Sequence, residues 1–152
     1  MLEIGNKAPA FSLVDETETT RTFDDYKGQW LVIYFYPKDN TPGCNAEACN
    51  LRDNYDDLLG RGFKIIGVSA DPAASHLKFR EKFSLPFPLI PDVEKRVISD
   101  YGIWGMKKFM GKEYMGIHRT TFVISEEGKI EKIFTKVKTK DHTRQILDEF
   151  GV

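Results

Sequence analysis

An α/β sandwich built around a mixed β-sheet is the architecture this chain predicts, on three observations. Continuous apolar, β-rich runs recur at "WLVIYFY" (30–36), "FKIIGVSA" (63–70) and "RTTFVIS" (119–125), as strands buried on both faces do. Helical stretches separate these runs. The chain then closes with an alternating strand and one more helix, so the element order is β–α–β–α, hairpin, helix.

Each element follows from local chemistry. After the run at 30–36 comes "YPKDNTPGC", a strand breaker, and residues 44–60 read as a helix. Asp71 before Pro72 marks the start of a second helix, "PAASHLKFREKF" (72–83), with a capping side chain ahead of Pro at the first helical position. "VEKRVISDYG" (93–102) is a short third helix. "KIEKIFT" (129–135) alternates apolar and polar residues as an edge or antiparallel strand does, and "EEGK" before it is a hairpin turn with Gly128 at positive φ. The closing helix, 140–150, ends against Gly151 as its C-cap.

"GIWGMKKFMGKEYMG" (102–116) has no clear period, with four glycines, three methionines and three aromatics. It reads as a long loop that lays its apolar residues on the domain, as an apolar wall of a pocket, or as both. Trp104 and Phe109 are the candidate wall residues, each also explicable as packing. Tyr34 and Phe35 belong to a buried strand, and either could line a pocket.

With 152 residues, 41% hydrophobic and 30% charged, the chain is expected to form one domain over 1–152. Lys plus Arg number 22 against 23 Asp plus Glu, so no global field points to nucleic acid or an anionic membrane. The locally basic "KIEKIFTKVKTKDHTR" is interrupted by Glu131 and Asp141 and reads as a solvated face. No apolar run approaches the ~20 residues of a membrane span. "MLEIGNKAPAFSL" lacks the basic-then-apolar order of a secretory signal, so the expected address is the cytoplasm. His76, His118 and His142 share no ligand spacing with each other or with the cysteines. They read as surface or packing residues, and no metal is expected.

The only two thiols, Cys44 and Cys49, stand five residues apart where a strand becomes a helix. At 100° per residue, Ala48, Leu51, Tyr55 and Leu58 fall within about 40° of Cys44, which therefore belongs to the buried stripe. Cys49 falls about 140° away, with Asp53 and Asp56. Their Cα atoms would be roughly 8.6 Å apart on an ideal helix, beyond the ~7 Å limit for a disulfide. Such a pair can bond only if part of the helix unwinds, which suits a reaction cycle and not a staple.

"TPG" places Cys44 in the first helical turn, where unpaired N–H groups and the dipole favour a thiolate. Bringing an ordinary thiol into the neutral range takes roughly 3 kcal/mol, whereas a helix end supplies ~0.3–1 and at best ~2. A cation must supply the rest. Several basic residues could serve, Arg119 at the head of "TTFVIS" among them, and spacing alone does not choose.

Pro37, Thr41 and Cys44 form P-x-x-x-T-x-x-C. With Cys49 at +5, "LRD" at 51–53, "FMGKEYMGIHRTTFVI" and "EEGKIEKIF", the chain resembles the Q-type peroxiredoxins, also called bacterioferritin comigratory proteins, from "IGNKAPAFSL" to the last helix. The resemblance implies a thioredoxin-like three-layer sandwich, a central mixed sheet flanked by helices, with an N-terminal β extension. It implies a thiol-dependent peroxidase for hydrogen peroxide and organic hydroperoxides. Cys44 matches the peroxidatic cysteine and Cys49 the resolving one, forming an intramolecular disulfide after local unwinding, reduced by thioredoxin or a similar dithiol. Thr41 matches the hydroxyl that hydrogen-bonds thiolate and peroxide, and Arg119 the active-site arginine. Pro37, Gly43 and Glu47 match supporting positions, Pro37 as a shield and Glu47 as an orienting group. Members of this branch are often monomers, and none of this chemistry calls for a cofactor. One departure is Asn45, where the branch usually has Thr or Ser.

Rival functions are weaker. A general disulfide oxidoreductase would favour C-x-x-C, in which the sulfurs meet without melting a turn. A redox sensor or oxidation-triggered holdase would lack turnover. Both G-x-x-x-x-G-K-[ST] and G-x-G-x-x-G are missing, against a nucleotide site.

Overall fold

The computed structural model describes residues 2–150. A short antiparallel extension opens the chain, β1 (Ser12–Val14) with β2 (Thr20–Thr22), followed by a 3-10 turn at Phe23–Tyr26. The central strands are β3 (Trp30–Phe35), β4 (Phe63–Ser69) and β5 (Leu89–Pro91). Two helices, α1 (Pro42–Asp53) and α2 (Tyr55–Gly60), connect β3 to β4, and α3 (Ala73–Phe83) connects β4 to β5. Then come α4 (Arg96–Asp100), β6 (Trp104–Phe109), β7 (Lys112–Ile117), β8 (Thr120–Ile124), β9 (Ile130–Phe134) and α5 (His142–Glu149).

The central sheet runs β5–β4–β3–β8–β9, parallel through β3 and antiparallel beyond it. β3 lies in the middle, and its alternate residues feed two cores. Val32 and Tyr34 join Ala48 and Leu51 of α1, Leu58 of α2, Phe79 of α3 and Ile146 of α5. Leu31, Ile33 and Phe35 face the other way, with Val97 and Ile98 of α4 and Phe11 of the N-terminal segment. This is the expected helix–sheet–helix layering with its N-terminal β extension.

Gly67 shows how tightly one layer closes. It pairs with Tyr34 across β3–β4, and a Cβ built there would lie 2.8 Å from the Tyr34 ring and 2.9 Å from Leu89. Only glycine lets that ring cross the strand.

Several expectations need correction. The helix expected over 44–60 starts at Pro42 and breaks at Asn54 into α1 and α2. The Asn54 amide donates to the Asn50 carbonyl at 2.8 Å, a side chain competing for a helix acceptor. Asp71 does not cap α3: Pro72 holds the cap position, and the Asp71 carboxylate accepts instead from the Asp39 N–H (2.8 Å) and the Ser69 hydroxyl (2.7 Å). The third helix shrinks from 93–102 to Arg96–Asp100. The segment 102–116 is not a loop but the β6–β7 hairpin, Trp104 opposite Ile117 and Phe109 opposite Lys112. Its turn is Met110–Gly111, with φ of 51° and 80°, the left-handed pair a tight hairpin demands. Met106, Phe109, Met110, Tyr114 and Met115 are exposed on it and do not pack onto the domain. Gly128 turns between β8 and β9 at φ 81°, as expected. The Gly151 C-cap lies outside the described residues.

Candidate active site

The site forms where two antiparallel neighbours end together. The last residue of β3, Phe35, pairs with Thr120, the first of β8. Arg119 therefore stands one residue ahead of β8, beside the loop into which β3 runs. That loop ends at Thr41, an extended residue capping α1, with Pro42 at the first helical position, which needs no N–H partner. Cys44 follows within the first turn and is buried as a free thiol.

Arg119 supplies the cation. Its Nη2 donates to Cys44 Sγ at 3.3 Å and its Nη1 to Glu47 Oε1 at 2.7 Å. Glu47 is three residues after Cys44, so both lie on one helix face. Gly43 makes room: a Cβ there would sit 3.1 Å from Arg119 Nη2. The Thr41 hydroxyl donates its single proton to the Lys38 carbonyl at 2.9 Å, which leaves its oxygen as an acceptor.

Beneath this surface lies a buried acid–imidazole contact. Glu47 and His142 are both 0% exposed, with Oε2 of the acid 3.6 Å from Nε2 of the ring. Burial pushes the Glu47 carboxyl up to about 7, against the opposing pull of Arg119. Burial also pulls His142 down to about 4. Between those values both groups are neutral, so the contact is not an ion pair. With the ring neutral, His142 Nδ1 donates to Gln145 Oε1 (2.9 Å), and Nε2 is left to accept from the Thr121 hydroxyl (2.8 Å).

Cys49 is half-buried and also free, on the same unbroken helix as Cys44. An ideal helix keeps their Cα atoms roughly 8.6 Å apart, so the two sulfurs are out of bonding reach in this state.

A buried free thiol at a helix start, held by an arginine that also grips a buried acid, has the parts that the resemblance to the Q-type peroxiredoxins implied for peroxide reduction. Residues 4–133 match the AhpC/TSA family. Peroxiredoxin Bcp of Bacillus subtilis (strain 168) is 47% identical over 146 residues, spanning 96% of this chain and 93% of that protein. A solved PrxQ mutant of Xylella fastidiosa superposes with a TM-score of 0.92 at 30% identity, over 99% of this chain and 96% of that one. The bacterioferritin comigratory protein of Xanthomonas campestris, studied for alkyl peroxide reduction, gives 0.86 at 35% identity, over 93% and 90%. The chain belongs to the AhpC/TSA family and is a peroxiredoxin.

In this peroxiredoxin, a peroxidase oxidoreductase with a thioredoxin fold, Cys44, Gly43, Glu47 and Arg119 come together, whereas the Thr41 hydroxyl, expected to bond the thiolate, donates to the Lys38 carbonyl instead. Pro37 lies half-buried at the exit of β3. Trp104 and Phe109 do not reach the hollow beside Arg119. That space, about 530 Å³, is bordered by Tyr101, Ile103, His118, Thr120 and Phe122. Trp104 instead packs under the Lys95 ammonium at 5.1 Å, and Phe109 is 65% exposed near the hairpin tip. Trp104 also packs against the core on the α4 side of the sheet.

Two residues near the thiol, His142 and Lys107, escaped the sequence reading, and a third, Tyr34, was read as buried and able to line a pocket. His142 was read as surface or packing, because nothing local says that α5 docks on α1. Lys107 has its ammonium 2.9 Å from the Ile117 carbonyl, and burial, then the Arg119 cation, lowers its proton affinity. Tyr34 is buried with an unpartnered hydroxyl, its proton held by burial and by the nearby Glu47 and Cys44. His76 is likewise buried, and joins Asp39 and Asp71 in a cluster whose polar atoms lie within 4.8 Å of one another.

Proposed function

We propose that Cys44 is the peroxidatic cysteine of a peroxidase for hydrogen peroxide and organic hydroperoxides. The observation that carries this reading is the Arg119 guanidinium 3.3 Å from a thiol in the first turn of α1. The Cys44 thiolate attacks the distal oxygen of ROOH, the O–O bond breaks, and the electron pair leaves as RO⁻, which takes a proton to become ROH. Sulfur is oxidised to Cys–SOH, and peroxide is reduced. Negative charge grows on the oxygens, where Arg119 and the backbone N–H groups of the helix start can stabilise it. Thr41, its proton committed to Lys38, offers a lone pair to the peroxide O–H and so aligns it.

The first two turns of α1 then unwind. The Cys49 thiol attacks the sulfenic sulfur, an S–S bond forms, and water leaves with the hydroxyl. Two thiols of a thioredoxin-type donor reduce that disulfide and become a disulfide themselves. Glu47 orients Arg119, Gly43 lets it approach and Pro37 shields the entrance. Alkyl peroxide reduction by the Xanthomonas relative supports organic hydroperoxides as substrates beside hydrogen peroxide. No described helix is long and apolar enough to cross a membrane, and a monomer acting in the cytoplasm is the arrangement we favour.

Peroxide consumption with a thioredoxin-type reducing system tests the scheme, beside Cys44→Ser and Cys49→Ser. The first variant should lose all activity. The second should form one sulfenic acid per chain and stop. An active Cys44→Ser would overturn the assignment, and a wild type that oxidises once without recycling would indicate a sensor.

A further inference from the structure

Asp39 lies in the loop between β3 and α1, five residues before Cys44, and is only 6% exposed. A buried carboxylate needs partners, and its side-chain partners come from the end of β3 and from α3, none of them from α1. Oδ1 accepts from the Tyr36 phenol at 2.6 Å, and Oδ2 accepts from the Ser75 hydroxyl at 2.8 Å. His76 Nδ1 meets Oδ2 at 2.7 Å. The Asp39 N–H donates to Asp71, at the turn into α3.

The proton count follows from geometry. His76 Nε2 is 3.1 Å from the Ile90 carbonyl, which can only accept, so Nε2 carries a proton. A bare Nδ1 facing an ionised carboxylate at 2.7 Å would set lone pair against lone pair. One further proton therefore lies between Nδ1 and Oδ2. The loop is fastened to α3 by a proton-bridged pair in a fully buried setting.

Resolution, as proposed above, requires α1 to unwind from its start. The residues ahead of Thr41 decide how far that motion spreads backward. We propose that Asp39 and His76 are positioning residues for the peroxidase cycle: a clamp that anchors the N-terminal side of the rearranging segment and sets the balance between the helical and unwound forms. With the clamp intact, Thr41 and Cys44 stay at Arg119 between turnovers. With it loosened, the unwound form gains population, Cys49 captures the sulfenic acid faster, and less sulfenic acid is lost to further oxidation. This rests on the Cys44–Cys49 cycle.

Rapid mixing with hydrogen peroxide, quenched by thiol and sulfenic acid trapping reagents and read by mass spectrometry, separates a peroxide-dependent step from a peroxide-independent disulfide step. His76→Phe, which fills the volume but cannot bridge, should speed the second step by about fivefold, the weight of one hydrogen bond in an equilibrium. Its over-oxidised fraction at high peroxide should fall in parallel. Asp39→Asn can donate from its amide to a neutral His76 Nδ1 and should keep the wild-type partition, a rescue that simple loss of packing would not give. Should His76→Phe fail to fold, Ser75→Ala and Tyr36→Phe each remove one bond to the carboxylate and should shift the partition the same way. Folded variants with an unchanged disulfide step and unchanged over-oxidation overturn the clamp. A wild type with no peroxide-independent disulfide step overturns the resolving cycle itself, a different result.

Discussion

Gly43 and Arg119 meet across the space a side chain would occupy: a Cβ on Gly43 would stand 3.1 Å from Nη2, the nitrogen that donates to Cys44. The glycine sits inside α1, where alanine is intrinsically the better helix former by ~1 kcal/mol. Stability and activity should therefore part company at this position. Gly43→Ala should hold or raise the melting temperature while displacing the guanidinium by a few tenths of an ångström. Since misplacement by ~1 Å can cost ~100-fold, the rate of peroxide reaction should fall by roughly three- to tenfold. A variant as fast as wild type would show that Arg119 has room to spare.

Arg119 holds sulfur and carboxylate with two different nitrogens of one planar group. A lysine ammonium is a point charge and cannot bridge both. Arg119→Lys should slow peroxide reduction by about 10²–10³-fold, the usual effect of losing a preorganised donor, with the fold preserved. Stopped-flow rates and circular dichroism check the two halves of that statement.

Glu47 and His142 pull the pH dependence of stability in opposite directions. The folded acid keeps its proton to about 7 against an ordinary 4.5, so its contribution declines as pH rises from 4.5 to 7. The folded imidazole stays neutral down to about 4 against an ordinary 6.5, so its contribution grows from pH 4 to 6.5. Over most of that window the slopes cancel in the wild type. Glu47→Gln should unmask a rise of about 3 kcal/mol between acid and neutral pH, and His142→Asn a fall of similar size. Chemical denaturation across that range would show it, and parallel profiles in both variants would refute it.

At Gly67 the contact is with packed core. Atoms of Tyr34 and Leu89 lie 2.8–2.9 Å from where a Cβ would be, and both side chains are fully buried. Gly67→Ala should destabilise the domain by about 1–3 kcal/mol through overpacking, read as a lowered denaturation midpoint with an unchanged m-value.

Met110 occupies a left-handed turn position (φ 51°) while 88% exposed, so it gains little from burial and carries backbone strain. Met110→Asn suits the turn and should slow amide exchange in the β6–β7 hairpin by about fivefold, corresponding to ~1 kcal/mol of local stability. Unchanged exchange would mean that the turn does not limit opening of the hairpin.

Much of the fold was legible because the patterns that encode it are local. Continuous apolar runs marked β3, β4 and β8, and the alternation at 129–135 marked β9. The 3.6-residue period put Cys44, Ala48 and Leu51 on one buried face and left Cys49 off it. The β6–β7 hairpin was missed because its turn is Met-Gly and its strands are largely solvated, so no buried face writes an alternation into them. The break at Asn54 was missed because one side-chain hydrogen bond caused it.

By itself, the sequence determined the layered α/β plan, the placement of a thiol in the first turn of a helix, and the need for a cation beside it. Those follow from periodicity, from turn residues and from the energy of a thiolate at a helix end, all properties of neighbours along the chain. The family resemblance already pointed to Arg119 as that cation; only the tertiary structure set its guanidinium beside Cys44, brought His142 to Glu47 and seated His76 against Asp39. Each of those pairs joins residues 37 to 95 positions apart. Their meeting depends on the register of β3 with β8 and on how α3 and α5 dock on the sheet, which no short window of sequence contains.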